Sequence, residues 1–281
     1  MGCRISKDKL FHALETINFG CEFEFSEPIH EVAACIEDVV VDEYGYDNIK
    51  TTAYEKVSGN YSHWIVKPDS TTESELNTPI SNISDIPKIK KVIKVLHDKK
   101  FITKRCDAFH VHTCCAGYNP LNLLTLWIAI EPAMARCFPV YRRNHDYAYA
   151  FYSMIKQNKR MRSQKLTDII VKDSVLKRFY DHYGSISYSE GVPSRTNSTV
   201  EFRIAEGNTD VEFVENWINI CLHMASMALY EQEYINHISE RKFKAIIKFY
   251  EMLDILQIQA NSKMGKWLEK RHTRFSGKPK R

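Results

Sequence analysis

Apolar and polar positions alternate with a period of two in the stretch Asn18-Phe19-Gly20-Cys21-Glu22-Phe23-Glu24-Phe25, which predicts a strand over 18–25. Ser26 and Pro28 then open a helix over about 28–43, and its apolar positions Ile29, Val32, Ala33, Ile36 and Val39/Val40 recur at helical spacing. Short strands are expected at 48–57, 61–68 and 72–77, separated by turns at Gly59-Asn60 and Asp69-Ser70. Ile89, Val92, Ile93, Val95 and Leu96 form the apolar stripe of a helix over 84–98. Residues 106–115 read as another strand, and Asn119-Pro120 starts a long apolar helix to about 137. Glu131, Pro132 and Arg136 interrupt that helix, which makes it a core helix and not a membrane span. Residues 141–183 are polar and aromatic, with helical pieces and a basic patch at Lys156–Arg162. A strand at 198–205 and helices at about 210–232 and 238–257 complete the pattern. Strands and helices intermix without a βαβα rhythm, so the fold class expected is α+β.

Composition changes this picture little. The 281 residues are 44% hydrophobic and 26% charged, ordinary values for a globular chain. No apolar run approaches the roughly 18–20 residues of a membrane span, and the first residues carry no signal-peptide core, so a cytoplasmic location is expected. Eight cysteines form no CxxC pair, which argues for reduced thiols and against a zinc cluster. The net charge of +4 is uneven. Residues 261–281 alone carry +7, leaving −3 for the rest. That segment reads as a solvated basic terminus that could touch phosphate or nucleic acid. Met1-Gly2-Cys3-Arg4-Ile5-Ser6 fits a loose acylation pattern that short sequences meet by chance.

Three strands share one arrangement of ionisable groups. Glu22 and Glu24 flank Phe23, His110 and His112 flank Val111, and Glu201 and Arg203 flank Phe202. Residues two apart in a strand point to the same face, so each strand shows a polar pair on one side and apolar side chains on the other. The plainer reading is an amphipathic sheet whose polar face meets water. Residue identity argues otherwise, because paired carboxylates in an aromatic setting repel and lose hydration unless a cation joins them. Asp69, at a turn, and Glu75, in the strand after it, extend the set of oxygen donors. Hard oxygen ligands suit Mg²⁺ or Mn²⁺, and their number suggests more than one ion. Neither GxxxxGK[ST] nor GxGxxG occurs, so a bound ATP would be held by a sheet and metals and not by a glycine-rich loop.

In order, the chain shows FGCEFEF, WIVKPDS with ELNTPI, FHVH, an arginine-rich YRRNHDYAYAF, and TVEFRI followed by a helix with Trp217. This series resembles the amidoligases, a family of glutamine-synthetase-like carboxylate–amine ligases. The resemblance implies a curved antiparallel sheet with helices on its outer face, and a catalytic domain over 18–225. Residues 1–17 would then be an extension, 226–260 helices packed on the domain, and 261–281 a basic tail. It implies metal ligation by Glu22 and Glu24, with Glu75 and Asp69 joining one site and His110 and Glu201 the other. His112 would lie near the nucleotide, Arg203 would face the γ-phosphate, and Arg142 or Arg143 would contact substrate or phosphate. Departures occur where Asp69 and Ser70 adjoin without the family's usual intervening glycine, where ELNTP replaces ELVSP, and at Ser185-Ile186-Ser187-Tyr188. The implied reaction uses ATP and Mg²⁺ or Mn²⁺ to convert a small-molecule or peptide carboxylate to an acyl phosphate, which an amine attacks. Competing readings are a metal-dependent hydrolase built on the HxH pair, a guanidino kinase on the same architecture, and a nucleic-acid binder using the tail, the Lys156–Arg162 cluster and the lysines of 84–98.

Overall fold

A computed structural model describes residues 15–45, 49–52, 62–101, 103–105, 107–146, 148–181, 183–189, 198–277 and 279. Cys3, Cys106, the Gly59-Asn60 turn and the Met1–Ser6 pattern lie outside the described residues.

Seven strands form one sheet in the order β2 (Ile49–Thr51), β3 (Trp64–Lys67), β4 (Ser74–Asn77), β1 (Phe19–Phe25), β5 (Phe109–Cys114), β9 (Thr199–Phe202) and β8 (Ile186–Ser189). Neighbours pair antiparallel, as expected, except β2 and β3, which run parallel at one edge and make the sheet mixed. A separate hairpin joins β6 (Asn144–His145) to β7 (Ala148–Tyr149). β8 was not anticipated, because its Ile-Ser-Tyr-Ser alternation is short and polar.

One face of the sheet is apolar and carries the core. Phe23 stacks on Phe109 with centroids 4.5 Å apart. Helices α1 (Ile29–Tyr44), α2 (Ile86–Asp98), α3 (Pro120–Met134) and α7 (Val211–Tyr230) build the layer that covers it. Trp127 of α3 and Trp217 of α7 both meet Phe202 edge-on, at 5.8 and 6.2 Å, and Phe213 of α7 lies 6.2 Å from Phe109. α3 is apolar all round and almost wholly buried, as a helix enclosed on every side must be. Asn119 caps it through Leu121 N at 3.0 Å, with Pro120 in its first turn. Asp210 caps α7 through Phe213 N at 2.8 Å.

The stretch 141–183 holds a 3₁₀ turn (Val140–Arg142), the hairpin, and helices α4 (Phe151–Gln157), α5 (Leu166–Ile170) and α6 (Asp173–Tyr180). A continuous helix over 238–257 is not found. Instead α8 (Gln232–Ser239) and α9 (Phe249–Ile255) flank an extended segment that bridges Lys165 and Lys242, with Leu166 N donating to Arg241 O at 2.9 Å and Phe243 N to Gln164 O at 3.1 Å. Pairing with the chain before α5 outweighs the helical spacing there.

The expectation of a solvated terminus at 261–281 is also corrected. Its residues form α10 (Lys263–Ser276), capped by Ser262, and Trp267 and Leu268 join the same core as the sheet. Its surface lysines meet acids of α7: Lys263 lies 2.7 Å from Glu215 and Lys270 lies 3.3 Å from Glu212. The lysines of α2 are paired as well, Lys90 with Glu215 at 2.6 Å and Lys91 with Glu43 at 2.5 Å. No helix among the described residues is long and apolar enough to cross a membrane. Cys21, Cys35, Cys114, Cys115, Cys137 and Cys221 are free thiols.

Candidate active site on the polar face of the sheet

Strand register assembles the site. Glu22 of β1 stands opposite His110 of β5 and Asn77 of β4, while His112 stands opposite Glu201 of β9, which in turn faces Ser187 of β8. Glu24 is opposite Glu75, and Glu75 opposite Lys67 of β3. Directly paired residues share a face, so these side chains all project from the side away from the aromatic core. They are nonetheless enclosed: Glu24, Glu75, Asn77, His110, Ser187 and Glu201 are all buried.

His110 sits at the centre. Its Nδ1 lies 3.0 Å from Glu201 Oε1 and 3.4 Å from Glu22 Oε2, and its Nε2 lies 3.9 Å from Glu24 Oε1. Burial and the Arg203 guanidinium press its pKa down, but Glu201 and Glu22 outweigh them and lift it to about 9. Burial works against the charge on Glu22, yet His112 and His110 hold that carboxyl well below the usual range. Glu201 is treated alike: burial opposes its charge, and His112, Arg203 and His110 overcome the opposition. Arg203 Nη1 pairs with Glu201 Oε1, and Ser187 Oγ donates to Glu201 Oε2 at 3.1 Å.

Donor atoms of Glu22, His112 and Glu201 all lie within 4.8 Å of one another. His112 Nε2 is sealed from solvent, 3.2 Å from Glu22 Oε1 and 3.8 Å from Glu201 Oε1. Both histidines therefore lie against Glu22 and Glu201.

Glu24 and Glu75 form the neighbouring row. Glu24 Oε2 accepts from Ala108 N at 2.6 Å, and burial raises its pKa. Glu75 is held by Lys67 at 2.8 Å and by Asn77 Nδ2 at 2.7 Å. Burial, and then the Glu22 charge, push its carboxyl up to about 7 despite Lys67. Sequence reasoning missed Lys67, although an antiparallel hairpin between WIVK and SELN is the signal that places it opposite Glu75.

Asp69 is close enough for its charge to help raise the Glu24 carboxyl, while its Oδ1 accepts from Thr71 N at 2.8 Å and from Thr71 Oγ1 at 2.5 Å in the β3–β4 turn. Arg143 makes its hydrogen bonds away from the carboxylates. Its guanidinium donates to Phe138 O at 3.0 Å, Phe275 O at 2.9 Å and Ser276 Oγ at 3.0 Å, which ties the 3₁₀ turn to the end of α10. Arg142 is buried, close enough for its charge to favour ionised Glu24, with its Nη2 donating to Arg203 O at 2.6 Å and its Nε to Ile204 O at 3.4 Å.

A second missed residue braces the same loop. Arg271 of α10 pairs through Nη2 with Glu206 Oε1 and donates from Nε to Cys137 O at 3.0 Å. Its guanidinium lies among the rings of Phe213, Phe275, Phe138 and Trp267, at 4.7, 4.7, 5.4 and 5.6 Å. Glu206 follows Arg203 by three residues, so the C-terminal helix reaches the chain just beyond the site.

A mixed sheet with acidic and imidazole groups converging on one face and helices on the other defines an α+β protein with a candidate cation site. Residues 15–225 match the family described as "Putative amidoligase enzyme", and the chain belongs to that family. It is also similar to a chain in the crystal structure of the complex between prokaryotic ubiquitin-like protein Pup and its ligase PafA, with 10% sequence identity and a TM-score of 0.40. That similarity covers 95% of this chain and 65% of the other, so this chain spans less than two thirds of its length. No curated protein matches the chain.

Proposed function

We propose that the protein joins a carboxylate to an amine, using ATP as a substrate and Mg²⁺ or Mn²⁺ as the metal. One observation carries this reading: Glu22, His112 and Glu201 present their donor atoms within 4.8 Å of one another in a chain of the amidoligase family. The donor set fits such a cation. Two carboxylates supply hard oxygen, and a solvent-sealed imidazole nitrogen lies within reach of both. Glu24 and Glu75 are proposed as donors to a second ion. When bound, the metal neutralises phosphate charge and polarises the transferring phosphoryl group.

The chain's own residues are assigned as follows. His110, bearing a proton, spaces and orients Glu22, Glu24 and Glu201. Arg203, oriented by Glu201, stabilises charge on the γ-phosphoryl group as a carboxylate oxygen attacks it and ADP leaves. The amine nitrogen then attacks the acyl carbon, phosphate departs with the electron pair of the broken C–O bond, and the amine loses a proton. Ser187 and Lys67 hold Glu201 and Glu75 in place.

The test is incubation of the purified protein with ATP, Mg²⁺ and a panel of acids and amines, read by mass spectrometry. A product equal to acid plus amine less water, with ADP and phosphate, is expected. A phosphorylated amine would indicate a kinase instead. Absence of ATP·Mg²⁺ binding in a calorimetric titration would turn the assignment toward a hydrolase.

A further inference from the structure

Away from the polar face, a cavity of about 530 Å³ opens between the β6–β7 hairpin and α6. Tyr149 and Tyr183 line it, together with Lys177, Arg178, Asp146 and Asp181. Its size is that of a small-molecule site. Arg178 is its most ordered charge. The guanidinium lies 4.5 Å over the Tyr149 ring, which fixes its plane, and donates one long hydrogen bond to Tyr183 O at 3.5 Å. Its Nε is buried without a hydrogen bond. A buried guanidinium nitrogen lacking an acceptor is costly unless a ligand supplies one, and the planar fork matches a carboxylate.

The other charges point the same way. Lysines of α2 and α10 pair with acids of α1 and α7. Here Lys177, Arg178, Asp146 and Asp181 line one cavity, and none forms an ion pair with a described residue. Cations and anions left unpaired together suit a ligand bearing both signs.

Backbone pairing links the cavity to the proposed site. Tyr149 O accepts from Ser185 N at 3.1 Å, and Ser185 O accepts from Arg203 N at 2.9 Å. Two strand spacings therefore separate Tyr149 from Arg203, about 10 Å. An amino acid with an extended side chain approaches that reach.

We propose that this cavity binds a free α-amino acid as its zwitterion. The carboxylate lies on Arg178 with Lys177 beside it, the ammonium meets Asp146 and Asp181, and the side chain extends toward Arg203. The proposal rests on the ligase reading in making this amino acid one of the two substrates.

Isothermal titration of the full-length protein tests it, with L-lysine and L-glutamate as probes and cadaverine as the analogue lacking the carboxylate. At least one amino acid is expected to bind the wild type, at least tenfold more weakly to Arg178→Met, and severalfold more weakly to Arg178→Lys, which keeps the charge without the fork. Cadaverine is expected to bind both proteins equally and weakly. Asp181→Asn, on the exposed rim, serves if the arginine variants do not fold, and is expected to weaken amino-acid binding severalfold. Equal amino-acid affinity in wild type and variants, or no binding by the folded wild type, overturns the proposal. A parallel titration with ATP·Mg²⁺ keeps the two ideas apart, since its failure would count against the ligase reading and not against the cavity.

Discussion

Replacing Arg271 by methionine retains most of the apolar stem and removes the guanidinium. The side chains of Arg271 and Glu206 are only 7% and 10% exposed, so the change strands a buried carboxylate beside four aromatic rings. Breaking a buried pair from one side costs about 3–5 kcal/mol, because the remaining charge has lost its water and its partner. The lost cation–π contacts fall within the same range of effect. A destabilisation of about 4 kcal/mol is expected, and with a urea slope near 3 kcal/mol/M it lowers the midpoint by roughly 1–1.5 M. The assay is urea unfolding followed by tryptophan fluorescence, which reports on Trp267 of α10 and Trp217 of α7. The double variant Arg271→Met/Glu206→Leu removes both charges and should recover at least half of the loss, since an apolar replacement of a buried pair is often neutral. A single variant within about 1 kcal/mol of wild type would refute the reasoning, as would a double variant no more stable than the single.

Other expectations follow from particular contacts. Glu131 is fully buried in α3, where it accepts from Phe151 N at 3.1 Å and Tyr152 N at 2.6 Å, and burial pushes its carboxyl up to about 7 against those hydrogen bonds. A carboxyl raised by folding favours the fold below its unfolded pKa and loses that contribution as pH rises through 7; wild type should therefore lose on the order of 2–3 kcal/mol relative to Glu131→Gln between pH 5 and pH 8, measured by paired urea titrations. A Cβ at Gly184 would lie 2.5 Å from Ile186 O and 2.9 Å from the Phe151 ring, so Gly184→Ala should cost roughly 1–3 kcal/mol in thermal unfolding and displace β8. Glu22→Ala, Glu201→Ala and Arg203→Ala should each lower ATP turnover by at least about 100-fold with the far-ultraviolet circular dichroism unchanged, whereas Glu73→Ala should be mild; undiminished turnover in two of the three would break the assignment.

The paired carboxylates and histidines were legible because a strand has a period of two, which fixes which side chains share a face whatever the tertiary fold. Glu22/Glu24, His110/His112 and Glu201/Arg203 needed no further information to be grouped within their strands. Which strands become neighbours is a long-range property, and register sets His110 opposite Glu22 and His112 opposite Glu201. Asp69 illustrates competition by local chemistry, since an aspartate two residues before a threonine amide closes its own turn. Arg143 and Arg271 were opaque for another reason. An arginine in a basic stretch looks solvated until its partners are known, and theirs come from segments over a hundred residues away in Phe275, Cys137 and nearby carbonyls. The stripe Met264, Trp267, Leu268, Arg271 and Phe275 was present in the chain at helical spacing, but the positive charge around it masked the amphipathic face. The segment 240–248 failed in the opposite sense: helical spacing was present, and backbone pairing near Lys165 prevailed.

The central claim is that Glu22, His112 and Glu201 together hold a divalent cation, and electron paramagnetic resonance of Mn²⁺ titrated into the purified protein tests it most directly. Wild type should bind at least one Mn²⁺ per chain, and the Glu22→Ala/Glu201→Ala variant, folded by circular dichroism, should leave the ion free in solution. Equal Mn²⁺ binding by both proteins would contradict the account.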